Sequence, residues 1–561
     1  MKKHITRLLF AALLLLALCI GASAAGTSGK CGPSAYWSFD SSTGTLTISG
    51  SGAMNDYEYG DYPWMDYRNS IQTIVIGDQI TQIGRYAFTG TACSTIKFGK
   101  NVRSIGERAF LECRNLNGDL TLPDSVQTIG AGAFQGCEKL SGDLTIPDSV
   151  VEIGEGAFRD CKNLNGTLTL GKNLRTIGKK AFSGCAFTGS LTIPEGITEI
   201  AIGTFSSSRS SGMFTGKLTL PSTLKTIGAS AFSYTDFSGE LLIPDGVTSI
   251  GANAFKECDG FGGTLSLPDS VKTVGEWAFY LCKGFTGLKL SAGLTKIEKL
   301  SFAHMYGLRT EVVIPEGVTE IGESAFQCSH MPSVRFPSTL KKIGKEAFYF
   351  SLNCKIAFPD GLEVIEDEAF ALCNVKSAVI LPASIKSIGK KAFDSDWSYG
   401  KHNDIPLGAY FLGAAPQLVG TGNANCSFPS DWTLNYLPGT SGWMGDTYEG
   451  YKIVPWDGET RWDNLYTDDF GYRDNKWNKI ETSWSVNTDT GKITLTDDLN
   501  EGCAVAVSYD TDGRVTSIGV LRTKTDFVVL NLQDTCRLFL LNASSAPRLN
   551  TPVTINDYLP T

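Results

Sequence analysis

Residues 120–143 read LTLPDSVQTIGAGAFQGCEKLSGD. Leu120-Thr121-Leu122 alternates apolar and polar side chains, the pattern of a short strand with one buried face. Pro123 has no N–H to give a ladder and closes that strand. Val126 and Ile129 point inward across a turn. Ala133 is small enough to let neighbouring coils approach. Phe134 fills the centre, and Cys137 and Leu140 close the coil before the next strand starts at Leu144. A coil this thin has too few apolar residues for a core of its own, so it must stack on copies of itself.

The copies run along most of the chain. Ile-Gly-x-x-Ala-Phe, with conservative variants, recurs with Phe at 88, 110, 134, 158, 182, 205, 232, 255, 279, 302, 326, 348, 370 and 393, at gaps of 22 to 27 residues. A period of that size predicts a solenoid. Gly follows the Ile except at Ala201, Glu298 and Glu366. A position that accepts Glu does not demand positive φ. The Ala before Phe is replaced only by Thr204 and Ser301, so closeness there is steric. The longest gap holds Ser206 to Ser211, a rim loop.

The repeat resembles the BspA-like leucine-rich repeat family of bacterial surface proteins, whose pattern is roughly L-x-I-P-x-x-V-x-x-I-G-x-x-A-F-x-x-C-x-x-L. The match spans about 71–400. Cys31-Gly32, Trp37 to Asp40, Gly44 to Gly50, Pro63-Trp64 and Ser70-Ile71 are similar to that family's N-terminal β cap. Tyr436-Leu437-Pro438, Trp443, Gly450-Tyr451 and Pro455-Trp456 are similar to the segment closing its array. The resemblance implies a secreted or surface-displayed, non-enzymatic protein used for adhesion or protein–protein contact.

Net charge over all 561 residues is −9, and the first 24 residues hold three of the cations and no acid. An acidic chain is poorly suited to nucleic acid or an anionic membrane. Lys2, Lys3 and Arg7, the apolar run Leu8 to Ile20 and the site Ala22-Ser23-Ala24 read as a secretory signal. No later stretch reaches eighteen apolar residues, so no transmembrane segment is expected after it.

Fourteen Cys follow the signal, a number that would suit disulfides in an exported protein. Cys113, Cys137, Cys161, Cys185, Cys258, Cys282 and Cys373, however, each lie three residues after a repeat Phe. They form a column, one per coil, and free buried thiols bonding backbone groups are expected, with bridges between adjacent coils left open. No CxxC pair or His cluster implies a metal.

Catalytic patterns are nearly absent: no HExxH, GxSxG or GxxxxGK[ST], and only His304, His330 and His402 after the signal. His304 and His330 read as solvated turn residues. Asp124, Asp148 and Asp269 follow the strand Pro as turn residues. No catalytic residue, metal or cofactor is expected.

Two surfaces qualify for binding. The outward strand position carries Thr121, Thr145, Thr169, Thr192 and Thr219, then Leu242, Ser266 and Lys289, flanked by Asp119 and Asp143. Thr is an ordinary solvent-facing strand residue, which is the plainer account. A functional row would be a hydroxyl-lined strip for protein, glycan or ice, and Val313 and Ile380 farther along favour protein. The other surface is aromatic: seven of ten Trp lie at 397 and beyond, including Trp462 and Trp477. Trp432 to Trp456 read as a cap over the open end of the array.

These readings give a β-rich α/β solenoid of about fourteen coils with parallel strands. The expected division is a signal over 1–24, an N-terminal β cap over 25–70, the array over 71–400, its C-terminal cap over 401–456, a linker over 457–477, and a small antiparallel β-sandwich-like domain over 478–561. The expected function is non-catalytic binding of extracellular or host-surface proteins through the outward strand face. Alternatives are glycan binding through the C-terminal aromatics and a hydrolase at the cap–linker junction.

Overall fold

The computed structural model describes residues 27–455 apart from 208–212, 352–355, 374–378, 395–407, 420–426 and 430–431; beyond 455 it describes only the backbone of seven strands between Trp484 and Thr554. The chain divides into two compact units. The first is Met1–Leu352 with Val364–Cys373, and the second is Asn353–Glu363 with Asn374–Thr561.

The first unit opens with an antiparallel sheet, Ser28–Lys30, Ser34–Asp40 and Thr45–Ala53, whose last strand pairs in parallel with Thr73–Ile76 and with Ile80–Ile83. From there the chain is a parallel β-solenoid. Helix among the described residues is confined to the 3-10 turn Met65–Tyr67, and the return of each coil is made of turns. The repeat Phe side chains are fully buried and stack in one column from Phe88 to Phe370, with ring centroids 5.1–5.7 Å apart. Trp64 extends the column, stacking on Phe88 at 5.4 Å while its indole N–H donates to the Ala87 carbonyl. Phe187, Phe214, Phe237, Phe261 and Phe285 build a second aromatic column where earlier coils carry Leu116, Leu140 and Leu164.

The stretch expected to cross as a turn at Ile129 is a strand instead. Ser104–Ile105, Thr128–Ile129, Glu152–Ile153 and Thr176–Ile177 pair in parallel, Ile on Ile. The Gly that follows has ordinary φ, and its role is close approach. A Cβ at Gly154 would lie 2.4 Å from the Ala131 nitrogen of the preceding coil. Its N–H donates to the Ile129 carbonyl at 2.8 Å.

This ladder is interrupted where the sequence departs from Gly and Ala together. Thr176–Ile177 does not pair with Glu199–Ile200, and Thr273–Val274 does not pair with Lys296–Ile297. The first gap precedes Ala201 and Thr204, the second Glu298 and Ser301. The Thr204 and Ser301 hydroxyls each donate to the carbonyl three residues back, at 2.8 Å. Phe–Phe spacing there is 5.6 Å at Phe182–Phe205 and 5.7 Å at Phe279–Phe302, at the wide end of the column, where the intact Phe302–Phe326 step is also 5.6 Å. Glu366 keeps Ala369, and its N–H still bonds the Ile343 carbonyl at 2.9 Å.

The Phe side of every coil is a third ladder. The residue two before each repeat Phe has φ between 51° and 63°, and eleven of those fourteen are not Gly. A left-handed conformation costs an L-residue roughly 1–2 kcal/mol. Here it is imposed by the neighbour: Arg108, Phe110 and Glu112 donate their N–H groups to the Ala131, Ala133 and Gln135 carbonyls at 2.7–2.8 Å. Alternating left-handed residues aim every second amide along the stack.

In the second unit Val379–Leu381, Gly408–Phe411, Thr433–Tyr436 and Tyr451–Pro455 form a parallel sheet edged by Thr447–Tyr448. Phe393 stacks on Phe428 at 5.2 Å, and Trp432 lies 5.6 Å from Phe428. Trp443 is buried against Phe411 and Tyr436, its indole N–H on the Gly413 carbonyl. The far strands form two antiparallel sheets, one with Trp484–Asn487, Lys492–Leu495 and Phe527–Val529, the other centred on Cys503–Tyr509.

Candidate binding surface

The outward row is built by short strands, most of them closed by a Pro two residues after the outward position. Leu144–Thr145 pairs with Leu168–Thr169, and Leu191–Thr192 with Leu218–Thr219, so the inward Leu enters the core and the Thr faces out. Thr121, Thr145, Thr169, Thr192 and Thr219 are all exposed. None of their hydroxyls engages another group among the described residues. The row is stepped: Thr169 is not laddered to Thr192, nor Thr219 to Leu242. Its next members, Leu242, Ser266 and Lys289, belong to a three-stranded sheet, Gly239–Leu242, Phe261–Ser266 and Phe285–Lys289, with a register shift at Glu240/Leu242.

Leu242 is 71% exposed and Val313 45%. Beside Leu242 an open groove of about 560 Å³ runs over Ser266 and Lys289 and is edged by Asp245 and Asp269. Burying such a Leu against a partner is worth roughly 1.5–3 kcal/mol. This groove was not evident from the repeat pattern; its only signal was a Leu where the row elsewhere carries Thr or Ser.

The carboxylates beside the row have structural work. Asp143 accepts the Thr167 N–H and hydroxyl, and these bonds hold its carboxyl below the usual range. Asp148 does the same for Lys172, by its ammonium and its N–H. Asp269 accepts the Ala292 N–H, and Glu195 and Glu316 repeat the device at Ser222 and Ser338. Asp148, Glu195, Asp269 and Glu316, each after a Pro, cap the next coil's turn.

The Cys column is buried and carries no disulfide among the described residues. Cys113, Cys137, Cys161, Cys185, Cys258, Cys282 and Cys373 each donate their thiol to the carbonyl of the preceding coil's Phe, at 2.9–3.2 Å. Ser329 and Ser351 make the same bond where Cys is missing. Burial pushes the Cys258 thiol up to about 12 and those of Cys113, Cys137, Cys161, Cys185 and Cys282 in the same direction, so these groups stay protonated and unreactive. Among the described residues no group of three or more His, Cys, Asp or Glu stands together to hold a metal ion.

His304 and His330 are not simply solvated. His304 is half-buried, with Nδ1 2.6 Å from the Tyr306 hydroxyl and its ring edge-on to Tyr280. His330 lies 5.4 Å from Tyr306 and 5.3 Å from Phe350. With Trp277 these residues make an aromatic edge that the sequence reading did not assemble. Trp462 and Trp477, the rim loop 208–212 and the cap–linker junction fall outside the described residues.

A family described as the BspA type leucine-rich repeat region matches residues 64–142, 141–262, 263–355 and 341–401. No curated protein sequence matches. Among solved structures, a leucine-rich repeat protein from Bacteroides ovatus is 23% identical with a TM-score of 0.46, over 67% of this chain and 93% of that one. A leucine-rich cell surface protein from Faecalibacterium prausnitzii is 24% identical with a TM-score of 0.35, over 56% and 90%. The pneumococcal vaccine antigen PcpA is 13% identical with a TM-score of 0.35, over 71% and 99%. With the repeat profile covering more than half of its length, and with the Phe, Cys and Ile-Gly columns stacked coil on coil, the chain belongs to the BspA-type leucine-rich repeat family.

Proposed function

We propose that this chain is a non-catalytic binding protein, displayed outside the cell, that engages a protein partner through the outward strand row. One observation carries the reading: Leu242 stands bare over a groove in the same row that bears Thr145, Thr169, Thr192 and Thr219. An exposed apolar anchor rimmed by polar groups is the usual anatomy of a protein contact. The flanking Asp245 and Asp269 favour a partner with a basic side chain beside its apolar one. The export-like leader and the family's surface-protein relatives support a place outside the cell.

The test is binding of the purified chain to an array of extracellular-matrix and cell-surface proteins, with Leu242→Asp and the pair Thr145→Ala/Thr169→Ala alongside. Leu242→Asp should lower affinity at least about tenfold, the loss of one buried apolar anchor. Retention of full binding by Leu242→Asp and by the Thr pair would remove the row from the account.

A further inference from the structure

On the Phe-turn side of the coils a continuous aromatic edge crosses four coils of the first unit. Trp277 and Tyr280 lie 4.6 Å apart, Tyr280 and His304 5.1 Å, His304 and Tyr306 5.5 Å, Tyr306 and His330 5.4 Å, and His330 and Phe350 5.3 Å. None is buried: His330 is exposed and the others are half-exposed. Three of the five contacts are edge-to-face and the other two are tilted, so the rings change orientation along the edge.

The backbone of the edge is held by coil-to-coil hydrogen bonds. Trp277, His304 and Phe350 sit at left-handed positions whose N–H groups are bonded to the next coil, at 3.0, 2.7 and 2.9 Å. The His304–Tyr306 hydrogen bond fixes two of the polar tips. A ligand therefore meets rings that need no ordering, which saves part of the entropy cost of binding.

The charges around it are occupied. Lys256 lies over Trp277 at 4.8 Å and over Tyr280 at 5.6 Å. Lys283 is paired with Asp259 at 2.6 Å and Lys299 with Glu323 at 2.8 Å. The Arg309 guanidinium donates to the Tyr306 and Leu308 carbonyls at 2.9 and 2.7 Å. Glu346 accepts from Gln327 and Lys345. What remains for a ligand is apolar ring surface interleaved with phenol and imidazole tips, without a free charge cluster.

We propose that the edge from Tyr280 to Phe350 is a second binding site, for a neutral, linear glycan lying along the solenoid axis. Aromatic rings pack against the C–H faces of a pyranose, and Tyr and His tips meet its hydroxyls. The coil-to-coil ring step of 5.1–5.4 Å is of the order of one sugar unit in an extended chain, so successive units meet rings of successive coils. The neutralised surroundings select against charged polymers. This site is separate from the Leu242 row and does not depend on it.

The experiment is calorimetric titration of the full-length exported chain with cello- and xylo-oligosaccharides and with a polyanionic glycan as contrast. Binding of a neutral oligosaccharide should weaken about tenfold or more in Tyr280→Ala/Tyr306→Ala, which removes two rings from the edge. Tyr306→Phe should retain most of it. His330→Ala, an exposed truncation that leaves the Phe column untouched, should weaken it independently of any effect on folding. Leu242→Asp and Thr145→Ala/Thr169→Ala should leave it unchanged. Absence of binding to either neutral series would overturn the proposal. So would preference for the polyanion, or edge variants that lose a protein ligand from the array instead.

Discussion

The amide hydrogens of Ala201 and Glu298 are expected to exchange with deuterium far faster than those of Gly154 and Gly178. The latter two donate to Ile129 and Ile153 at 2.8 Å, inside a parallel ladder backed by the Phe column. Ala201 and Glu298 occupy the same place in their coils without that bond among the described residues. Releasing a ladder amide means peeling one coil from its neighbour. If that costs at least about 4 kcal/mol, exchange slows about a thousandfold, while an unbonded amide is slowed little. The assay is hydrogen exchange read by mass spectrometry on peptides covering 150–160, 174–184, 196–206 and 293–303. The double variant Ala201→Gly/Thr204→Ala writes the regular coil back in. It should slow exchange at 201 and regain about two hydrogen bonds at about 0.5–1.5 kcal/mol each, less about 0.5–1 kcal/mol for the added Gly. Net stabilisation is about 0–2.5 kcal/mol. The Glu366 coil is a natural control, because it has a Cβ at the Gly position, keeps Ala369 and keeps the bond. Equal protection at 154, 178, 201 and 298 would refute the argument that these paired departures open the ladder.

Three further outcomes follow from the columns and the edge. Phe158→Ala, between Phe134 at 5.3 Å and Phe182 at 5.4 Å, should cost about 3–5 kcal/mol in denaturant melts, with exchange rising first in the adjacent coils because each coil contacts only its neighbours. Cys161→Ser should be tolerated better than Cys161→Val in the same melts. Ser keeps a donor for the Phe134 carbonyl, as Ser329 does for Phe302, and losing such a bond costs about 0.5–1.5 kcal/mol. Burial lowers the pKa of both His304 and His330, so the unfolded chain binds more protons than the folded one below its own His pKa of about 6.5. Stability should therefore be complete above that pH and fall as the pH drops through it, and His304→Gln/His330→Gln should flatten the melting temperature between about pH 7 and 5.

The sequence made some of this legible and hid the rest for physical reasons. The Phe and Cys columns could be read because one residue type is demanded at one spacing: only a flat ring fills the centre, and a small donor suits the Phe carbonyl. The strictness at Ala133 and its equivalents likewise pointed to steric closeness. The Ile-Gly strand was read as a turn because two residues per coil are too few to show alternation; its ladder exists only between coils, and within one coil Thr128-Ile129-Gly130 looks like a turn. The left-handed positions were hidden more thoroughly. Tyr86, Arg108, Lys180, Trp277 and Glu346 share no chemistry, since the neighbouring coil's carbonyls fix the backbone and leave the side chain unconstrained. That freedom is also why a binding edge can grow there. Trp277 is aromatic on a backbone that equally accepts Lys180 or Glu346, and His304 and Phe350, two residues after their repeat Phe, on one that equally accepts Glu112 or Asp160, so nothing in the fold requires their rings. The Thr row differs, because strand geometry by itself favours Thr. An aromatic series on positions indifferent to side chain is therefore stronger ground for selection by a ligand than a threonine series on positions that favour it.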